Sequence, residues 1–479
     1  MTSASLRTAT AIACVILAGC VATPPTAPQV TQRTAAGLGL GAQPGPAIGD
    51  RWWTAFGDAQ LDHLIETARA DNPTLAAVDA RLRMAQSMLS ESRAATYPQA
   101  TFDMQEQYTR FSETYMIPPP IGGTTRWFGT VQANLNWSLD IVGKQKTQIE
   151  RARATTQAAA LDAAGARLAI AGAVTQAYIA LDRAYVLADV AEETLKQRQG
   201  IFDLTSTRFQ SGLDNPANSK VAEALLAAAK VERTLALGAR EIAAHQLAAL
   251  TGAGAAGPVL TRPSLKADAL ELPATLPADL LARRADIAAA QTRITAAMKG
   301  RELAQKEFYP DVNLVGAAGW ASIGLSPLFT GDSLQYGAGP AIHLPMFDAG
   351  RLRAQYAAAT ASLDLAVADY NESLLTAVRD AADALSTLKT LQAQAGDLAQ
   401  MRTAADATVD LEERRYKNGL SPLLNVLNAQ ELAIRARRDS AALDADLASS
   451  RVRLVMALGG GFDPVKPVQF SLDAGNSHE

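Results

Sequence analysis

Residues 127–254 of this chain lie over residues 334–461 at a constant offset of 207, without a gap. Gly143 falls on Gly350, Leu204 on Leu411, Arg208 on Arg415, Gly212 on Gly419, Leu213 on Leu420, Leu247 on Leu454 and Gly252 on Gly459. Upstream the match continues at offset 212, where Pro73 meets Ala285, Arg81 meets Arg293, and Tyr97-Pro98 meets Tyr309-Pro310. The five-residue difference sits between Pro98 and Trp127, where the first copy carries the run Met116 to Pro120 and a Gly-Gly pair. One unit used twice builds pseudo-symmetric walls. A repeat this long is a duplicated domain and not a short-repeat solenoid.

Within each copy the hydrophobic period changes. From Trp127 to Leu139, apolar or small residues (Trp127, Gly129, Val131, Ala133, Leu135, Trp137, Leu139) alternate with Phe128, Thr130, Gln132, Asn134, Asn136, Ser138 and Asp140. Strict alternation predicts a strand over 127–140. Its length, apolar face and amide- and hydroxyl-rich opposite face fit a membrane barrel strand around an aqueous lumen; the alternative is a long strand of a soluble sandwich. Residues 101–112, with Phe102, Met104 and Tyr108, predict a weaker partner, and the second copy supplies 311–320 and 334–346. Trp127, Trp137 and Trp320 all fall in these strands, where an aromatic girdle would need them.

Helical segments follow the strands. The stretches 144–210 and 351–417 contain no Pro and are rich in Ala, Leu, Arg and Gln, which predicts one continuous helix each. Each would be roughly 100 Å long at 1.5 Å per residue. Both stop at the same punctuation, Arg208-Phe209-Gln210-Ser211-Gly212-Leu213 and Arg415-Tyr416-Lys417-Asn418-Gly419-Leu420. Gly here suits the C′ position of a helix cap, and Pro216 or Pro422 soon afterwards suits a new helix start.

The remaining segments set the cell compartment. Residues 1–19 are a signal: Arg7 precedes an apolar stretch too short to span a bilayer, and Leu17-Ala18-Gly19-Cys20 closes it as a lipoprotein cleavage site. Cys20 is then the lipidated residue, and Val21 in place of Asp favours the outer membrane. Cys14 leaves with the signal, so no disulfide can form. Residues 20–50 predict an anchor and extended linker, 51–254 the first repeat, 255–275 a Pro-rich connector, 276–461 the second repeat and 462–479 a tail. A net charge of −4 gives no footprint for nucleic acid. Apart from the signal, no run suggests a transmembrane helix, so a membrane crossing would have to use strands.

Several motifs resemble the outer-membrane factor family, the TolC/OprM-like efflux ducts. Trp52-Trp53 to Phe56-Gly57-Asp58 is similar to the family's opening helix. Leu276 to Ile287 is similar to its signature at the start of the second copy, with Ala285 in place of the usual Pro. Phe308-Tyr309-Pro310 and Gly339-Pro340 to Leu344-Pro345-Met346-Phe347-Asp348-Ala349-Gly350-Arg351 are similar to its strand boundaries. The resemblance runs from Cys20 to about Gly461. It implies an α+β membrane protein: a homotrimer whose four strands per protomer close an outer-membrane β-barrel, continued by a long periplasmic α-helical barrel.

The resemblance also implies site residues. Gly212-Leu213 and Gly419-Leu420 are the tips expected to meet a periplasmic adaptor (membrane fusion protein), itself joined to an inner-membrane transporter of the resistance-nodulation-division (RND) type. Arg208, Asn218, Arg415, Ser421, Asn425 and Asn428 are expected at the periplasmic gate. Asn425, Asn428 and Ser421 stand where other members carry acids, so a weakly cation-binding constriction is expected. No catalytic constellation appears: His63, His245, His343 and His478 lack metal-ligand spacing, and Asp286 and Asp348 read as cap or turn residues. Neither enzyme activity nor a cofactor is expected. The readings weighed beside efflux are a type I protein-secretion duct and a periplasmic coiled-coil scaffold.

Overall fold

The computed structural model describes residues 26–34, 38, 48–114, 117–254, 257, 259–266, 270, 272–273, 275, 277 and 279–463. The signal, Cys20, parts of the linker and connector, and most of the tail with His478 lie outside the described residues. The elements run α1 (Ala59–Asp71), α2 (Pro73–Ala94), β1 (Gln99–Arg110), β2 (Thr125–Ser138), α3 (Lys144–Gln210), α4 (Pro216–Leu250), α5 (Ala285–Lys306), β3 (Asp311–Ile323), β4 (Leu334–His343), α6 (Arg351–Lys417) and α7 (Leu423–Ala457). They divide into two compact units. One comprises 1–32, 82–159 and 290–370, the other 33–81, 160–289 and 371–479.

The first unit holds a four-stranded antiparallel sheet in the order β1-β2-β3-β4. Tyr108 pairs with Trp127, Trp320 with Val131, Leu314 with Trp137, and Tyr336 with Ala318. Directly paired residues share a face, so Tyr108, Trp127, Trp137, Trp320 and Tyr336 lie on one side. Thr130, Gln132, Asn134 and Asn136 occupy the other. β1 and β4 each leave one edge unpaired within the chain, and Pro340, which lacks an N–H, sits on edge strand β4 where it is tolerated.

The strand limits differ from those the alternation predicts. β1 and β2 each begin and end two residues earlier. The apolar-polar pattern persists through Asp140, but there the chain turns: Asp140 adopts φ 47°, and its carboxylate accepts the N–H groups of Gln145 and Lys146 at 2.8 and 3.0 Å. Helix capping wins over alternation. β3 runs three residues further than expected because long β2 keeps pairing to Ile323↔Phe128. β4 stops at His343, three residues early, ahead of Pro345. Asp348 then caps α6 by accepting from Gly350 and Leu352 N–H.

The two Pro-free stretches each form a single 67-residue helix, α3 and α6. One expectation fails here: α3 does contain an 18-residue window apolar enough by composition to cross a membrane. Its apolar residues are used for packing. Ala171, Val174, Ala177, Tyr178, Ile179 and Leu181 join Trp52, Trp53, Phe56, Leu61 and Ile65 in the core of the second unit. The two indoles meet edge to face at 5.9 Å. Asp58 caps α1 through the Gln60 N–H, and its second oxygen accepts from the Tyr178 hydroxyl and the Ser264 N–H, both at 2.8 Å. Those hydrogen bonds hold the Asp58 carboxyl below its ordinary value despite its burial. The opening motif is thus a staple between α1, the following connector and α3.

The duplication survives in backbone contacts. Gly252 (φ 73°) would place a Cβ 2.5 Å from the Asp71 carbonyl oxygen; Gly459 (φ 106°) would place one 1.9 Å from that of Arg283. Asp71 and Arg283 are themselves equivalent at offset 212. Gly212 also has positive φ (73°), but nothing lies within 4 Å of its Cβ position. Gly459→Ala and Gly252→Ala should therefore lower the thermal midpoint of the purified protein well beyond Gly212→Ala, which carries only backbone strain of about 1 kcal/mol. Circular-dichroism melting of the three variants checks the order.

Candidate functional site

The ends of α3 and α6 are the best-defined candidate. Leu213 N–H donates to the Arg208 carbonyl at 2.8 Å and Gly212 N–H to that of Phe209 at 3.0 Å; Leu420 to Arg415 and Gly419 to Tyr416 repeat both distances. These are paired 6→1 and 5→2 bonds of a Schellman cap, with Gly at C′ in the left-handed region (φ 73° and 75°). Such caps commonly bury the next residue against the last turn. Here that residue is left out: Leu213 is 68% and Leu420 70% exposed, with Phe209, Leu411 and Leu424 exposed nearby in sequence.

Beneath the tips the two copies are tied together. Asp214 accepts from Asn218 Nδ2 at 2.7 Å and Asn215 N–H at 2.8 Å through one oxygen, and from the Tyr416 hydroxyl at 2.8 Å through the other. Arg208 lies 3.7 Å from the same carboxylate and stacks over the Tyr416 ring at 5.1 Å. Burial opposes the charge on Asp214, but these donors prevail and hold its pKa below 3.8. Burial and the Asp214 carboxylate push Tyr416 up to about 12.

The second copy's own residues form a separate chain of contacts. Arg415 donates to Glu412 at 3.0 Å, Ser421 to Glu412 at 2.6 Å, and Asn425 to Ser421 at 3.1 Å. Asn428 is exposed on the same stripe of α7 as Asn425, outside that chain. Arg208, Asn218 and the first tip are thus brought together with Tyr416, whereas Arg415, Ser421 and Asn425 gather around Glu412. Tyr416 and Glu412 were not expected from the motifs. The signal was in the alignment of the copies: Phe209 faces Tyr416, Thr205 faces Glu412 and Asp214 faces Ser421, so acid and hydroxyl have traded places.

Between these tips and the core, a polar belt joins all four helices. Buried Arg198 of α3 donates to Gln430 of α7 at 3.0 Å, and Gln430 donates to Glu413 of α6 at 2.9 Å. Arg437 of α7 spans Glu193 of α3 and Asp406 of α6 at 2.7 and 2.8 Å. Arg233 of α4 pairs with Glu192, and Arg438 with Glu232 of α4. Exposed pairs of this kind contribute little, but a buried Arg198 stripped of Gln430 would be costly.

In the first unit, the Trp127 ring lies 5.2 Å from Tyr108 and the Trp320 ring 5.9 Å from Phe329. Trp137, at the other end of β2, donates its indole N–H to the Thr96 carbonyl at 3.0 Å.

A four-stranded amphipathic sheet with open edges, long helix hairpins and a duplicated chain together describe a membrane channel protomer. A family profile described as outer membrane efflux protein matches residues 64–253 and 276–460. The chain belongs to this family. It is 35% identical over 376 residues to the fusaric acid resistance protein FusA of Burkholderia cepacia, covering 76% of this chain and 70% of that one. It is 29% identical over 470 residues to the multidrug resistance outer membrane protein MdtQ of Escherichia coli O157:H7, covering 94% and 98%. The crystal structure of the outer membrane protein VceC of Vibrio cholerae superposes with a TM-score of 0.80 at 31% identity, over 87% of this chain and all of that one. The protein is an outer-membrane efflux channel, with four strands per protomer of a trimeric barrel and an internally duplicated helical portion.

Tyr416→Phe removes a charge-assisted hydrogen bond, so exchange of backbone hydrogens in 205–218 and 412–425 should speed up by about tenfold. In the wild type, the Asp214 contribution is present above its ordinary pKa of 3.8 and is lost as pH falls through the lowered one. The Tyr416 contribution is present below 10 and is lost as pH rises toward about 12. Tip protection, corrected for intrinsic exchange, should therefore be flat from about pH 4 to 10. Hydrogen-exchange mass spectrometry tests both statements.

Proposed function

We propose that the chain is the exit duct of a tripartite pump, carrying small toxic compounds from an RND-type inner-membrane transporter through a periplasmic adaptor to the outside. The observation that carries this reading is the pair of exposed leucines, Leu213 and Leu420. Each extends a rigid cap and makes no use of the cap's own hydrophobic contact. Two apolar knobs per protomer, six in a trimer, suit a helical-hairpin partner that fills the gaps between them. The names of the relatives, one tied to fusaric acid and one to multidrug resistance, support small molecules as cargo. The duct performs no chemistry and needs no cofactor.

In this reading Arg208, Asn218 and Asp214 with Tyr416, and Arg415, Ser421, Asn425 and Asn428 with Glu412, form the periplasmic gate. Trp127, Trp137 and Trp320 mark the membrane interfaces. Cys20 carries the lipid that adds a second hold on the outer membrane.

The double variant Leu213→Asp, Leu420→Asp should lose in vivo cross-linking to the adaptor by more than about tenfold, because two desolvated apolar contacts per protomer become charged. The trimer should persist on gel filtration. Unchanged cross-linking, with deletion of the gene leaving susceptibility to a broad panel of compounds unaltered, counts against the pump assignment. Cys20→Ser should abolish labelling by a fatty-acid probe while the strands still insert; retained labelling would remove the anchor.

A further inference from the structure

The helices of the second unit enclose a cleft of about 600 Å³ that the gate and tips do not use. Its walls are α3, with Ala173 and Gln176, and α6, with Asp383 and Ala384; its floor is α7, with Ser450 and Arg453. On α3 these residues lie about half a turn around the helix from Val174, Tyr178 and Leu181, which pack into the core beneath Trp52 and Trp53. Arg284, just ahead of α5, borders the cleft, its guanidinium donating to the Ala457 carbonyl at 2.8 Å.

Among the described residues, three polar groups there have no internal use. Ser450 is 1% exposed, and its hydroxyl has no hydrogen-bond partner. A buried hydroxyl in this state costs free energy unless something meets it. Asp383 is exposed and accepts no hydrogen bond, feeling Arg379 only through its charge, while neighbouring Asp380 is taken up by the Arg379 guanidinium at 2.8 Å. Arg453, exposed on the floor, makes no ion pair among the described residues. Gln176, by contrast, is committed to Ser449, donating to its carbonyl at 2.8 Å. The cleft thus offers one unclaimed carboxylate, one unclaimed guanidinium and one unpaired hydroxyl across a surface of Ala and Met side chains. Its volume falls within the range of sites for drug-sized ligands.

We propose that this cleft is a binding site for small amphiphilic zwitterions: Asp383 takes the ammonium end, Arg453 the carboxylate, Ser450 a further polar atom, and the apolar walls the body of the molecule. The proposal goes beyond the reading of the chain as an efflux duct and is tested apart from it. A compound with only one of the two charges would leave the other side chain unpaired. Because both side chains are exposed, such a compound forgoes one modest ion pair, and the preference for zwitterions is a graded one.

The test is equilibrium binding to the purified detergent trimer, so that its failure leaves the duct reading, which is judged by susceptibility of a deletion strain, untouched. The probe is norfloxacin, a fluorescent zwitterion; its N-acylated derivative, which lacks the amine charge, and its ester, which lacks the carboxylate, serve as controls. Saturable binding at three sites per trimer is expected. Both controls, and the exposed-site variants Asp383→Asn and Arg453→Gln with the parent probe, should bind about threefold more weakly. Tip cross-linking to the adaptor should be unaffected in both variants. Absence of saturable binding, equal affinity for the singly charged derivatives, or unchanged affinity in both variants would overturn the proposal.

Discussion

The constraint on which the molecule depends is that hydrocarbon offers no partner to a backbone N–H or C=O. A four-stranded sheet pairs its inner ladders but leaves the outer edges of β1 and β4 open, and an open edge cannot persist in lipid. The protomer is therefore an incomplete membrane protein, and a ring of copies is the only way its edges disappear. A third of a twelve-stranded barrel is a sheet whose two faces already differ as such a barrel requires: Tyr108, Trp127, Leu135, Trp137 and Tyr336 on one side, Thr130, Gln132, Asn134 and Asn136 on the other. Association and insertion are in this sense one requirement.

The helices face a different limitation. Helices of 67 residues cannot be held by propensity; they need lateral packing along their length. The chain supplies it in zones. The Trp52–Trp53 core grips α3, α4 and α7, the belt around Arg198 and Arg437 ties all four helices, and the Asp214–Tyr416 contact joins the ends. Apolar packing continues to the tip end, where Ile201, Ala222, Tyr416, Leu423 and Val426 are buried together, and directional polar contacts are added to it there. Packing resists small displacements throughout, but a hydrogen bond lets go over a fraction of an ångström, so the tip end is the part of the bundle with discrete contacts to break.

What was legible in the sequence follows from how local each determinant is. Both long helices could be read to their final residues because the absence of Pro and the Gly of a Schellman cap act within a few residues. The strands could be placed but not bounded. Alternation continued through Asp140, while the carboxylate that ends the strand works by reaching forward to the N–H groups of Gln145 and Lys146. The tip glycines were visible, but the exposure of Leu213 and Leu420 was not, since a Leu after a cap is ordinarily buried. The Asp214–Tyr416 contact spans 202 residues, and no periodicity reports on a pair that distant. Only the mismatch between the copies hinted at it, and it had to be read as an exchange of acid and hydroxyl instead of two unrelated substitutions.

That exchange points to what duplication does for a duct. The repeat fixes the backbone, as Gly252 against Asp71 and Gly459 against Arg283 show, and leaves the side chains on the lining free to diverge. At offset 207, Ala173 corresponds to Asp380 and Gln176 to Asp383, and these four line opposite walls of one cleft. The first copy contributes a small and a committed neutral side chain, the second two carboxylates. A symmetric wall would present the same charge on both sides and suit only ligands of one sign. Because the walls come from two copies on one chain, a single substitution changes one wall without touching its counterpart, and the backbone contacts that keep the helices in register are unaffected. Charge asymmetry across the cleft is therefore available to this protomer at almost no cost in stability, whereas a ring built from six identical hairpins could not acquire it at all.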